Sequence, residues 1–243
     1  MANKRRKKLA RAGFFRIFAL AQGPVALAEG SPPKHVPGAW PRCSPVGMGH
    51  RRAYNQSMVY LDDDIAGFDL EGALPLLSAQ RREQVLSFRH ELGRKTSAMA
   101  YVLLCRALRE EFGLRELPQF GYGEHGKPYI VGHEDIHFNL SHCREAVVCA
   151  VGVRPVGIDV ESIREYHDSL VRYTMNAAEV RQIEESAERG VEFIRLWTQK
   201  EAVVKLSGRG ITDGIKDVLT LNTLPIETHV VRERGYIYSV VSA

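Results

Sequence analysis

From residue 58 onward the apolar positions follow two different periods. Residues 58–61 open a short alternating strand. Ser78 stands where an N-cap belongs, and Val85, Leu86 and Phe88 follow on one face of a helical stretch. A second helix is predicted over 91–112, with Met99, Val102, Leu103, Ala107 and Leu108 at helical spacing and Gly113 as its stop. Residues 120–131 read as a hairpin that turns at Gly123-Glu124-His125-Gly126. Strands are predicted at 136–140, 146–151 and 156–160. Asn176, with Glu179 three residues later, opens another helix that Gly190 closes. A long helix then covers 191–206 and stops at Ser207-Gly208, and strands near 218–221, 228–231 and 236–241 complete the pattern.

Both halves of this region read as helices followed by a small antiparallel sheet, which predicts an α+β fold of two subdomains, 58–154 and 155–243. The closing segment 236–241 weakly echoes 145–150, so the two subdomains are expected to be alike and to meet at a cleft, a common place for a ligand.

Residues 1–57 differ in kind. They hold six prolines and no sustained period, and they carry eleven Lys/Arg against one acidic residue, a balance of +10. The whole chain's +4 therefore leaves −6 for residues 58–243, so a basic character does not describe the folded part. Such a segment buries too little apolar surface to offset its chain entropy and is expected to be a disordered extension, with Met58 as the natural start. A secretory signal is a second reading of it, but Arg16 interrupts the apolar stretch. A nucleic-acid-binding tail is a third, and the acidic balance of residues 58–243 argues against nucleic acid as the partner of the folded part. No apolar run approaches the roughly 18 residues of a membrane span. Cys43, Cys105, Cys143 and Cys149 form no CxxC pair and read as reduced thiols of a cytoplasmic protein.

Three segments carry chemistry. In Val156-Gly157-Ile158-Asp159-Val160-Glu161, strand alternation turns the aliphatic residues to the core and Gly157, Asp159 and Glu161 outward together. That makes half a site for Mg2+, or else a plain solvated strand face. In the long helix, Trp197, Glu201 and Lys205 are four apart and share a face. Glu201 offers a third carboxylate and Lys205 a contact for phosphate, or else the two form an ordinary ion pair. Gly126-Lys127-Pro128 and Phe138-Asn139-Leu140-Ser141-His142 offer an ammonium, a hydroxyl and an imidazole to a phosphate, or else close a hairpin and a strand. Ser141 and His142 point to opposite faces of a strand, which disqualifies them as a nucleophile–base pair.

Taken in order, these segments resemble the 4'-phosphopantetheinyl transferases of the surfactin-synthetase-activating type. The family pattern runs GKP, FNxSH, G(I/V)DxE and F-x3-W-(S/T)-x-KEA-x2-K-x2-G-x-G, and the chain fills every fixed position, the last from Phe193 to Gly210. The resemblance covers 58–243. It implies a pseudo-dimeric fold within one chain, expected to be a monomer, with coenzyme A between the halves and an apo acyl or peptidyl carrier protein as partner. It further implies that Asp159, Glu161 and Glu201 hold Mg2+. Asp159, Glu201 and Lys205 would be catalytic, with Glu201 taking the carrier-serine proton. Lys127, Ser141, His142, Arg94, Lys200 and Lys205 would bind the phosphates of coenzyme A, Arg94 taking the 3'-phosphate. Where many relatives have a phenylalanine pair in a region that contacts the carrier, this chain has Tyr173-Thr174-Met175. A relative that binds coenzyme A or the carrier without catalysis is the alternative, and the presence of all three carboxylates argues against it. Deleting residues 1–57 is expected to leave solubility and transfer to an apo carrier unchanged, read by intact mass; insoluble or inactive protein would show that the segment is structural.

Overall fold

A computed structural model of the chain describes residues 57–208 and 214–243. The expectations for 1–57, Ser57 apart, and for the end of the last motif at Arg209-Gly210 lie outside the described residues.

The first half starts with strand β1 (Met58–Asp62), followed by helices α1 (Leu70–Ala73), α2 (Ala79–Ser87) and α3 (Glu91–Phe112). The hairpin β2 (Phe120–Tyr122) and β3 (Pro128–Ile130) then leads into β4 (His137–His142) and β5 (Val147–Gly152). The second half starts with β6 (Val156–Ser162) and continues through α4 (Asp168–Thr174), α5 (Ala177–Glu185), α6 (Arg189–Ser207) and α7 (Val218–Leu221) to β7 (Ile226–Val231) and β8 (Tyr236–Ser242). Each half thus has a three-stranded antiparallel sheet of one design, β1-β5-β4 and β6-β8-β7, in which the opening strand pairs with the closing one. The reading of both halves as helices first missed these two opening strands as partners of the closing ones.

The cores stack as helix, sheet, sheet, helix. One face of the first sheet packs with α3, through Met99, Leu103, Val147 and Cys149. Its other face meets the second sheet, where Leu61, Val148 and Ala150 pack on Val156, Ile158, Val160 and Val240. The far side of the second sheet packs with α6, through Ile237, Phe193 and Trp197.

Local chemistry explains the ends of these elements. Ser78 accepts from the Arg81 N–H, and Gly113 closes α3 at φ 69°. Asn176 and Glu179 form a full capping box at α5. Four expectations are corrected. Leu86 is 47% exposed rather than on the buried face with Val85. Phe88 is the extended residue after α2. Gly190 lies inside α6, because α5 has already ended at Ser186. Residues 218–221 form one helical turn with no buried side chain, a run too short for either period to declare itself. Cys105, Cys143 and Cys149 are free thiols, and no helix among the described residues is long and apolar enough to cross a membrane.

The tightest contact is between β6 and α6. A Cβ on Gly157 would lie 2.0 Å from the Ala202 carbonyl oxygen and 2.5 Å from the Leu206 nitrogen. Both obstacles are helix backbone and cannot rotate away. Gly157→Ala is therefore expected to destabilise the fold by about 2–3 kcal/mol or more, read as a lower urea midpoint. A midpoint equal to that of the parent chain would show that the helix tolerates displacement.

Candidate functional site

Of the two readings of the Gly157, Asp159 and Glu161 face of β6, the solvated strand face does not hold: the face is buried against α6. Asp159 has no exposed surface, and Glu161 and Glu201 are 8% and 6% exposed. The alternation of side chains holds, with Asp159 and Glu161 on the face opposite to Ile158 and Val160. All three carboxylates come from the second half, two from β6 and one from α6.

Asp159 is the centre of this group. Its Oδ1 accepts from Lys205 Nζ at 2.6 Å and from Ser141 Oγ at 2.9 Å. Ser141 in turn accepts from Lys205 Nζ at 2.9 Å and from the Val160 N–H at 3.3 Å. Lys205 is therefore the partner of Asp159, not of Glu201 four residues away. The other oxygen, Asp159 Oδ2, is buried with no hydrogen-bond partner. Burial, and then the nearby Asp159 charge, push the Glu161 and Glu201 carboxyls well above the usual carboxylate range. Arg164, 3.9 Å from Glu161, and the Trp197 indole moderate the shift at Glu161. Among the described residues no three acidic, histidine or cysteine side chains converge as a formed metal cage. The donor chemistry nevertheless fits a hard cation: three mutually repelling carboxylates and one enclosed, unpartnered oxygen.

Two hydroxyls hold α6 on the sheet behind this group. Thr198 Oγ1 and Ser239 Oγ are 2.8 Å apart, and Ser239 is also 3.0 Å from Thr228 Oγ1. Ser239 pairs with Asp159 across the β6–β8 ladder. Thr198, Glu201 and Lys205 thus form one stripe along α6 facing Ser239 and Asp159.

The remaining predicted residues are placed as follows. Lys127, from the first half, donates to the Leu206 carbonyl at 2.9 Å and the Val156 carbonyl at 3.3 Å, and its stem packs on Gly208. Burial lowers its ammonium to about 8. Lys127 also lines an open depression with Pro128, Tyr129, Glu134, Ile136, His137 and Phe138, all from the first half. His142 is held neutral, down to about 4, by burial and by the cations Lys205 and Arg81. Ser141 uses its one donor on Asp159 and accepts from two others, so the structure leaves it no free donor for a phosphate. Arg94 fastens the Phe88 carbonyl at 2.8 Å. Lys200 has no exposed surface; it pairs with Glu179 at 2.8 Å and donates to the Ile215 and Lys216 carbonyls. That is a structural anchor between α6, α5 and the turn before α7, in place of the expected phosphate contact.

Sequence reasoning missed Arg81, Asn139, Thr198 and Ser239. Arg81 is 6% exposed, bonds Gln84 and the Ser97 carbonyl, and has an unpartnered buried Nε. Its spacing of four from Val85, on the buried face of α2, was the available signal.

The family model described as "4'-phosphopantetheinyl transferase superfamily" matches residues 155–236. The 4'-phosphopantetheinyl transferase psf-1 of Bacillus pumilus is 34% identical over 158 residues, 64% of this chain and 68% of that one. A 4'-phosphopantetheinyl transferase of Bacillus subtilis is 29% identical over 63% of this chain and 70% of its own length. The 4'-phosphopantetheinyl transferase Sfp of Bacillus subtilis strain 168 is 25% identical over 70% and 75%. With its two alike α+β halves and the acidic centre between β6 and α6, the chain belongs to the 4'-phosphopantetheinyl transferase family.

Because Lys200 is enclosed with Glu179, Lys200→Met is expected to cost about 3 kcal/mol of stability by leaving a buried carboxylate unpaired. The KM for coenzyme A in the folded fraction should stay unchanged. A raised KM with unchanged stability would restore the phosphate contact.

Proposed function

We propose that the chain moves the 4'-phosphopantetheine arm of coenzyme A onto a serine of an apo carrier protein, with Asp159, Glu161 and Glu201 as its acidic centre. The observation that carries the residue assignment is the enclosed Asp159 carboxylate, one oxygen held by Lys205 and Ser141 and the other unpartnered. These three carboxylates would hold Mg2+. When bound, the ion supplies positive charge at the pyrophosphate of coenzyme A.

The chain's own groups do the rest. In the reaction the carrier-serine oxygen forms a bond to the phosphorus that bears pantetheine, and 3',5'-adenosine bisphosphate leaves with the electron pair of the broken P–O bond. The serine proton goes to ionised Glu201, directly or through a water; burial and the Asp159 charge, which raise that carboxyl above the usual range, make its ionised form a stronger base. Lys205, fixed by Asp159 and Ser141, faces charge that develops on the leaving phosphate. Neutral His142, near Lys205 and Arg81, and Lys127, at the end of α6 against Leu206 and Val156, suit the remaining phosphates from the first half.

The test is incubation with coenzyme A, Mg2+ and a panel of apo carriers, read by intact mass. Asp159→Asn, Glu161→Gln and Glu201→Gln are each expected to lower transfer by about 100-fold or more, far from additively, because the three act as one unit. Raising magnesium should partly restore Asp159→Asn but not Glu201→Gln. In the same assay Lys127→Ala and His142→Ala should raise the KM for coenzyme A by about tenfold with kcat within about threefold, as uniform binding contacts do. Near-normal turnover in all three folded carboxylate variants would remove the acidic centre from the mechanism.

A further inference from the structure

β6 is an edge strand, since its sheet runs β6-β8-β7. The backbone N–H groups on its free side need acceptors, because an unpaired amide in the interior is costly. A neighbouring strand would normally supply carbonyls. Here β4 lies beside β6 and supplies side chains instead: the Ile158 N–H donates to Asn139 Oδ1 at 3.0 Å and the Val160 N–H donates to Ser141 Oγ at 3.3 Å. Asn139 and Ser141 are two apart on one face of β4, the face whose partners Ala150 and Val148 meet the second sheet. Ile158 and Val160 are likewise two apart, and the residue between them is Asp159.

This seam holds the strand on either side of the central carboxylate. Lys205 Nζ joins the same seam, since it reaches both Ser141 on β4 and Asp159 on β6. Of the two acceptors, Ser141 also bonds Asp159 itself. The Asn139 side chain bonds the backbone of β6, not a side chain of the acidic centre, so its effect on the reaction passes through Asp159's position.

We propose that Asn139 is a positioning residue for transfer: by accepting the Ile158 N–H it fixes the strand that aims Asp159. The role in transfer rests on the reading of Asp159 as the centre of the reaction; the tether itself does not. A purely structural role would lower stability and leave the folded fraction fully active. A positioning role lowers kcat in protein that is still folded, with little change in KM for coenzyme A, whose phosphates Asn139 does not touch.

The experiment follows amide hydrogen exchange at Ile158 and steady-state transfer to an apo carrier, in the full chain and in Asn139→Ala and Asn139→Asp. Leu103, in the core of α3, serves as the reference amide for global opening. In Asn139→Ala the Ile158 amide is expected to exchange about tenfold faster relative to Leu103, as follows from losing one buried hydrogen bond. The kcat should fall by at least about tenfold while KM stays within about threefold. Asn139→Asp keeps an oxygen acceptor and should restore Ile158 protection and raise kcat above that of the alanine variant. Unchanged Ile158 exchange in Asn139→Ala, an unchanged kcat in that variant, or no recovery in Asn139→Asp would each overturn the proposal. Should the alanine variant not fold, fast Ile158 exchange in the parent chain or in Asn139→Asp overturns it, and protection in both supports it. Should the parent chain transfer to no carrier, the proposed function fails, and the exchange measurements still decide the tether.

Discussion

Asp159 carries a charge with no exposed surface, and a carboxylate is stable there only where charges and hydrogen bonds replace its lost hydration. Those partners come from two other elements, Lys205 from α6 and Ser141 from β4, so one charge requires a strand and a helix of the second half to meet a strand of the first. Each contact is geometrically constrained. Gly157 lets α6 lie close enough for Lys205 to reach, and Lys127 caps the carbonyl of Leu206 near the end of that helix from the other half. Much of the packing between the halves follows from satisfying this group. The aliphatic layer of Val148, Ile158 and Val160 adds hydrophobic stabilisation but little direction.

The sequence is most legible where local rules act alone. The bounds of α3 and its glycine stop, the capping box at Asn176 and Glu179, and the hairpin at residues 120–131 depend on neighbours within a few positions. The acidic motif on β6 is legible as an alternation but not as a burial pattern, because the rule that charges face water fails where a site is built in the interior. Lys200 shows the same limit. The family resemblance implied a phosphate contact for it, while its partner Glu179 is remote in sequence and no local pattern links the two. The echo between 145–150 and 236–241 misleads in another way. It sets Ser239 against Val148, yet Ser239 faces α6 and Val148 faces the opposite sheet. Two strands that hold equivalent places in their sheets are thus out of phase by one residue in that alignment, which exchanges their faces.

Compared face by face, the two halves show why only one of them carries the acidic centre. The surface that the first sheet turns to α3 includes Tyr60, Val147, Cys149 and Val151, with side chains such as Met99 and Leu103 opposite, and forms the larger apolar core. The corresponding surface of the second sheet turns Gly157, Asp159, Glu161 and Ser239 to α6, and the helix answers with Thr198, Glu201 and Lys205. A shared topology therefore holds an ordinary core in one copy and a charged interior in the other. The first copy holds the larger apolar core, and it gives the second an edge in β4 from which Asn139 and Ser141 project. The second copy contains repelling carboxylates that burial disfavours, a state at odds with local stability and suited to a cationic ligand. That division of roles places the repelling carboxylates beside the close backbone approach of α6 to β6 at Gly157, which holds the two elements that carry them together.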